Sequence, residues 1–396
     1  MRSSASFRYL IFATIVLIFG LRATAAETGR NSQLLRRAFE VPDLNNWTEA
    51  EPEFARAASA FRANRDKIGL NYAELGIIRA TIQRRNLAFT SAQLGHRLES
   101  DPLMKSDRDL RIFCLAIKGE IDNDLGAAAM RRDWEEVAQL SRDSSDPRWR
   151  YRASAELGMA AYYEGNLQAA RRNISAALIA ATKAHDVGSQ IKYLYAIGVG
   201  LNQTQMYSEA IQYLDKAIAL AKAMPGAPYP FMPSLEKAQA LASTGQIQKA
   251  KTTVQTILES ARRMKADEYE SITLAVAGQF QARQGDAKGA IQTLSQAIAI
   301  CERGGFERAL DESRIALAEI YSSQGQFGEA EQLLSAAAAA SQGNGELYTL
   351  PRRLGTFAGF SFGKVNSPRP TELTIVPPPS LTQALETTPR CSIRRH

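Results

Sequence analysis

From Ala153 to Ser341 small and apolar residues return on a fixed step of 40. Gly158, Gly198, Ala238, Gly278 and Ala318 form one column, and Gly165, Gln205, Gly245, Gly285 and Gly325 a second. Ala170, Ala210, Ala250, Ala290 and Ala330 form a third; Ile174, Leu214, Val254, Leu294 and Leu334 form the fourth. Four columns holding register across five copies mark stacked supersecondary units. Within the unit Ala153–Ala181, apolar residues recur at steps of three and four, the period of a helix with one buried face. Gly165-Asn166 interrupts the pattern, since both residues tolerate positive φ at a helix end. Each unit therefore predicts two helices, the second starting near Leu167. Gly158 with Ala170, Gly198 with Ala210 and Gly278 with Ala290 let the paired backbones approach.

Leu157-Gly158 with Tyr162-Tyr163-Glu164-Gly165-Asn166 and Ala170 resembles the tetratricopeptide repeat family. So do Ile197-Gly198 with Tyr207-Ser208-Glu209-Ala210, Leu214 and Ala217, and Gly285-Asp286 with Ala290, Leu294 and Ala297. The family's usual period is about 34 residues, and HEAT-type repeats run longer. The order of the Leu-Gly, Gly-Asn/Asp and Ala columns favours the tetratricopeptide reading. The extra residues then lengthen the helices or the linkers. The resemblance implies an all-α fold, a right-handed solenoid of stacked helix–turn–helix units. Pro225-Gly226-Ala227-Pro228-Tyr229-Pro230 is an expected loop, because proline lacks a backbone donor and stops helices.

Upstream, the pattern loosens. Leu125-Gly126 resembles Leu157-Gly158, and Arg132-Asp133-Trp134-Glu135-Glu136 a second helix. Trp134 then falls one residue short of the Leu167 column. Asn46-Trp47-Thr48-Glu49-Ala50 with Phe54 and Ala57 resembles another second helix, and Leu75-Gly76 another first helix. The expected organisation is residues 26–145 as degenerate helical repeats and 146–341 as five regular ones.

The two ends differ from the body. Arg2 and Arg8 precede the apolar run Leu10–Leu21, and Ala23-Thr24-Ala25 fits a small-x-small cleavage site. Residues 1–25 therefore read as a signal peptide. The run is shorter than the ~20 residues a spanning helix needs. Export to a periplasmic or secreted location is expected, with no integral span after cleavage. At the other end, a further 40-residue step lands on Ala358, so 342–363 reads as an incomplete repeat helix. The matching second-helix position is Pro370, and Pro368, Pro377, Pro378, Pro379 and Pro389 accompany it. Residues 364–396 read as a disordered tail. A native tail and a frame that has left the array fit this pattern equally.

Charge follows the same division. The chain holds 48 basic and 41 acidic residues, for a net +7. Residues 1–25 and 342–396 carry the whole excess, leaving 38 of each sign between them. A nucleic-acid partner needs basic charge on the folded face, so none is expected.

Candidate chemistry is sparse. Cys114, Cys301 and Cys391 and the histidines His96, His185 and His396 show no metal spacing. Cys114 sits in an apolar helical run and reads as a packed thiol. Gly343-Asn344-Gly345 lacks the lysine of a phosphate loop. Gly359-Phe360-Ser361-Phe362-Gly363 matches a hydrolase elbow by letter, with Glu372 or Glu386 and His396 following. It lacks the strand and helix that hold such a serine. No cofactor and no catalysis are expected.

What remains is surface recognition of a protein or peptide. In the resembling family the first helices line a concave groove. The candidate contacts there are Arg152, Met159 and Tyr162, then Lys192, Tyr195 and Asn202, and further on Gln239, Gln279 and Glu319. Tyr and Arg give large contact area and directed hydrogen bonds. The tyrosines equally suit repeat core, and Arg152 and Lys192 a solvated face. Some family members clamp a peptide carboxylate with Lys and Asn; here Ala155 and Met159 stand at those places. An alternative is the sensory region of a larger signalling enzyme, a caspase-like peptidase or a nucleotide cyclase.

Overall fold

A computed structural model describes residues 33–40, 50–82, 85–125, 129–144, 146–225 and 229–343. The expected signal peptide, most of the incomplete repeat helix, the tail and Ser361 lie outside these residues. The described chain is helical, with no strand. A short helix α1 (33–40) precedes α2 (Glu51–Ala63), α3 (Lys67–Ala80), α4 (Leu87–Ser100), α5 (Pro102–Ser106), α6 (Arg108–Asp124) and α7 (Ala129–Leu140). The regular array follows as α8 (Arg148–Tyr163), α9 (Leu167–Lys183), α10 (Val187–Gln203) and α11 (Tyr207–Ala223). It continues through α12 (Phe231–Ser243), α13 (Ile247–Met264), α14 (Asp267–Arg283), α15 (Ala287–Gly304), α16 (Glu307–Ser323) and α17 (Phe327–Gly343). Even-numbered first helices pair with the odd-numbered second helices that follow, and each second helix also packs on the next first helix.

The long period has a simple origin. α9, α10, α11, α14, α16 and α17 are each 17 residues, about 25 Å long. Turns of two or three residues join them, so the helices, not the linkers, carry the extra length. Gly165, Gly245, Gly285 and Gly325 take left-handed φ of 77–85° in the turn inside each unit. The residue after each donates its N–H to a carbonyl five residues back, as Asn166 does to Ala161 at 2.8 Å. The turns between units repeat this at His185, Lys265 and Gly305, on the same 40-residue step with position 225 passed over. Pro225 stands where that step would place another; its ring forbids positive φ. α12, the helix after it, spans 13 residues, and residues 226–228 of the expected loop lie outside the described residues.

Gly158, Gly198 and Gly278 are notches for a side chain of the paired helix. A Cβ at Gly198 would lie 2.6 Å from Leu214 Cγ, and one at Gly278 2.8 Å from Leu294 Cγ. Ile174, Leu214 and Leu294 of the fourth column fill the gaps at Gly158, Gly198 and Gly278, and Leu214 and Leu294 are fully buried, whereas Leu334 of the last unit is exposed. Ala177, Ala217, Ile257, Ala297 and Ala337 add a further buried column.

The region before α8 departs from the expected register. The counterpart of Gly158 is Gly119, not Gly126, and Trp134 packs against it. Leu125 caps the end of α6, and Gly126 lies outside the described residues. Trp134 stands 40 before Ile174, so it belongs to the large-residue column. The glycine column has slipped by one position, which hides the unit from a fixed-step reading. Leu75-Gly76 lies on α3, which pairs backward with α2. Phe54 sits against Gly76 and Phe61 against Gly69. Ala50 caps α2, with Pro52 in its first turn, where a missing N–H costs nothing.

Candidate functional site: a concave aromatic cavity

A cavity of about 550 Å³ opens along α3 and the first helices α6, α8, α10, α12 and α14. That volume is within the ~300–1,000 Å³ of sites that enclose small ligands. Its walls are aromatic at both ends. Toward α3 and α8, Phe113 meets Phe39 edge-on at 5.3 Å, stacks on Tyr72 at 5.9 Å and approaches Trp149 at 6.5 Å. Toward α14, Phe231 lies parallel to Tyr269 at 4.4 Å, and Tyr229 meets Phe231 at a tilt at 4.5 Å.

Fixed charges form the middle. Lys192 of α10 donates to Glu156 Oε1 at 2.7 Å and lies 3.9 Å from Glu120 Oε1; Arg79 of α3 pairs with Glu120 from the far side. Burial works against the Lys192 charge, but the Glu156 and Glu120 carboxylates outweigh it and hold the ammonium above its ordinary range. The guanidinium of Arg152 lies over the Trp149 ring at 5.4 Å and 3.9 Å from Asp186 Oδ2. Asp186 also accepts from Tyr151 Oη at 2.7 Å, from Ser189 Oγ at 2.7 Å and from Ser189 N–H at 3.0 Å. Burial pushes that carboxyl up, but these donors prevail and lower it. Four helices, α3, α6, α8 and α10, thus contribute to two sets of paired charges, one around Lys192 and one around Asp186.

Arg152, Lys192 and Tyr195 line the cavity. The remaining six expected residues do not. Met159 packs into the clusters around Phe113 and Tyr151, and the Tyr162 ring meets Tyr163 edge-on at 5.7 Å. Asn202 is nearly buried and donates to Glu236 Oε2 at 2.9 Å and to its carbonyl at 3.0 Å, tying α10 to α12. Gln239 and Gln279 are half-buried on α12 and α14. Glu319 is half-buried; burial raises its pKa, and the Arg283 charge opposes the rise.

The structure adds residues that the sequence reading passed over. Trp149, Ser189, Tyr229 and Tyr269 stand 40 apart and all line the cavity, so the repeat step itself marks an inward column. It lies at the start of the first helices, upstream of the Leu-Gly signature. Cys114 is fully buried and its thiol is pushed up to about 12 by burial; Cys301 is buried too. Among the described residues no three His, Cys, Asp or Glu side chains are grouped to hold a metal. No helix among them is long and apolar enough to cross a membrane. The cavity presents aromatic surface, paired charges and hydrogen-bonding tips.

Residues 281–354 match the tetratricopeptide repeat family. No curated protein matches the chain in sequence. A Rap protein complexed with competence and sporulation factor is similar in fold, with a TM-score of 0.53 at 13% identity over 82% of this chain and 79% of that one. The apo form of the quorum sensor NprR from B. thuringiensis gives 0.44 at 13% identity, over 79% of this chain and 98% of that one. The fold is a solenoid of tetratricopeptide-like repeats.

Proposed function

We propose that this chain is a non-catalytic interaction scaffold that binds a short peptide segment in the cavity between α3 and α14. The cavity itself carries the reading: two aromatic walls flank a charged middle whose partners already hold it in place. Aromatic side chains supply large contact area at small entropic cost, and preset charges supply orientation. The Rap protein of similar fold is itself known in complex with a partner, which agrees with this use of the fold. Residues 1–25 direct the chain out of the cytoplasm in this reading, to a periplasmic or secreted location, where the ligand is met.

A random peptide library selected on the immobilised full chain tests the proposal. Wild type is expected to enrich a defined set of sequences, and Tyr229→Ala with Tyr269→Ala to lose that enrichment while keeping its helical circular dichroism. Equal enrichment by wild type and variant would move binding away from the cavity. No enrichment by either would remove the peptide-binding reading.

A further inference from the structure

The charges in the middle of the cavity are paired, but the two signs are not equally open. Arg152, Lys192 and Met232 stand 40 apart on α8, α10 and α12 and all line the cavity. Two successive units thus place a cation at the same inward position. The Lys192 side chain is 45% exposed and that of Arg152 28%, whereas their partners Glu156 and Asp186 keep only 8% and 11%. Arg148 is likewise more open than its partner Asp146, and Arg79 and Glu120 are open about alike. The pairs on α8 and α10 therefore present their positive ends and cover their negative ones. Lys192 also has donors to spare. An ammonium carries three N–H bonds. One reaches Glu156 Oε1 at 2.7 Å, and Glu120 Oε1 at 3.9 Å is beyond hydrogen-bond distance. Among the described residues no other side chain or carbonyl accepts from it. A basic ligand group would instead meet Glu156 covered and Glu120 already held by Arg79. A carboxylate accepts strongly from a charged donor, and the aromatic surroundings strengthen such a bond by lowering the local dielectric.

We propose that the middle of the cavity seats an acidic side chain of the bound peptide, an Asp or Glu carboxylate that accepts from Lys192 beside Arg152. The inference rests on the peptide-binding reading and deepens it. The ligand is then a short segment with an acidic residue between two aromatic or large aliphatic ones, one toward Phe113 and Trp149 and the other toward Phe231 and Tyr269.

Composition of the selected library separates the two levels. The full chain is presented with a random hexapeptide library, and the recovered pools of wild type, Lys192→Gln and Lys192→Arg are sequenced. Wild type should enrich Asp or Glu together with aromatic residues. Lys192→Gln should lose the acidic enrichment about tenfold and keep the aromatic one, and Lys192→Arg should keep both. A wild-type pool rich in aromatic residues without Asp or Glu overturns this inference and leaves peptide binding standing. Acidic enrichment that survives in Lys192→Gln overturns the assignment to Lys192. An empty pool removes both readings. The Gln amide still donates to Glu156, so Lys192→Gln is expected to keep the wild-type thermal midpoint. If it does not, exchange on the ligand decides. For a recovered peptide on wild type, replacing its Glu by Gln or Asp by Asn should weaken Kd by calorimetry about tenfold, roughly 1.4 kcal/mol. An unchanged Kd overturns the inference.

Discussion

The array from α8 to α17 and the region from α2 to α7 bury their helix faces with different side chains. In the array a notch of Gly or Ala receives one aliphatic residue, and small residues close the seam: Ala170, Ala210, Ala250 and Ala290 are all buried. Before α8 the fillers are rings. Phe54 fills the place at Gly76, Phe61 that at Gly69, and Trp134 that at Gly119. The largest cluster of buried residues lies here, joining α3, α4, α6, α7 and α8. Polar cross-links also run between helices: Lys118 binds Asp122 and, at 2.9 Å, Asp133, while Ser91 of α4 donates to the same Asp122. A repeated unit must present the same face to each neighbour, which favours small, uniform contacts. A terminal region has no such constraint and can use larger, singular ones.

The largest test of this contrast is Phe54→Ala. Phe54 is fully buried, and its loss should cost about 3–5 kcal/mol in chemical denaturation, by transfer plus cavity. The expected damage is confined to exchange of amides in α2 and α3. A smaller but more widely spread loss is expected from Ala250→Leu. Ala250 and Ala238 are both fully buried in one cluster, so overpacking should cost ~1–3 kcal/mol. Hydrogen exchange should rise in α10–α15, because neighbouring units share each other's surfaces. Damage held to α12 and α13 would contradict that coupling.

Much of this contrast was legible beforehand, for a physical reason. The 40-residue step, the first-helix notches and the turn glycines are backbone requirements, and few residues meet them, so they recur visibly. Leu167 opens α9 as its spacing foretold. Ring-in-notch packing needs only a matching pair, so Phe54 with Gly76 left no period. Gly119 was hidden by a one-residue slip. The cavity was half legible. Arg152, Lys192 and Tyr195 line the cavity and stand on first helices, whose place the repeat gives. The inward column Trp149, Ser189, Tyr229 and Tyr269 was missed because it precedes the repeat signature. Asn202 lies off the cavity, its side-chain amide donating to Glu236 of α12.

The polar links sharpen the comparison through pH. The Asp133 carboxyl is pushed up to about 6 by burial, with Lys118 opposing and Asp122 reinforcing the rise. A folded-state value above the unfolded one means that the proton stabilises the fold. That contribution is full below the unfolded value and is lost as pH rises through about 6. Wild type should therefore lose roughly 1 kcal/mol between pH 5 and 7.5 through this group. Asp133→Asn should remove that slope, read as the difference between two denaturation series.

The smallest effect lies in a turn of the array. Gln205 adopts φ of 63° where the four sibling units place glycine. A side chain there carries a left-handed penalty that glycine avoids, offset in part by glycine's freer unfolded chain. Gln205→Gly should stabilise by roughly 0.5 kcal/mol in the same assay. A loss instead would mean that the Gln205 side chain contributes to the turn.

The account stands most directly on where a ligand lies. A peptide recovered from selection, remade with a photoreactive benzophenone side chain, can be cross-linked to the full chain and the attachment mapped by mass spectrometry. Attachment is expected at the cavity residues Trp149, Tyr195 and Tyr269 of the first helices and at Tyr229 just before α12. Attachment instead along the second helices α9, α11, α13 and α15 would contradict a concave site.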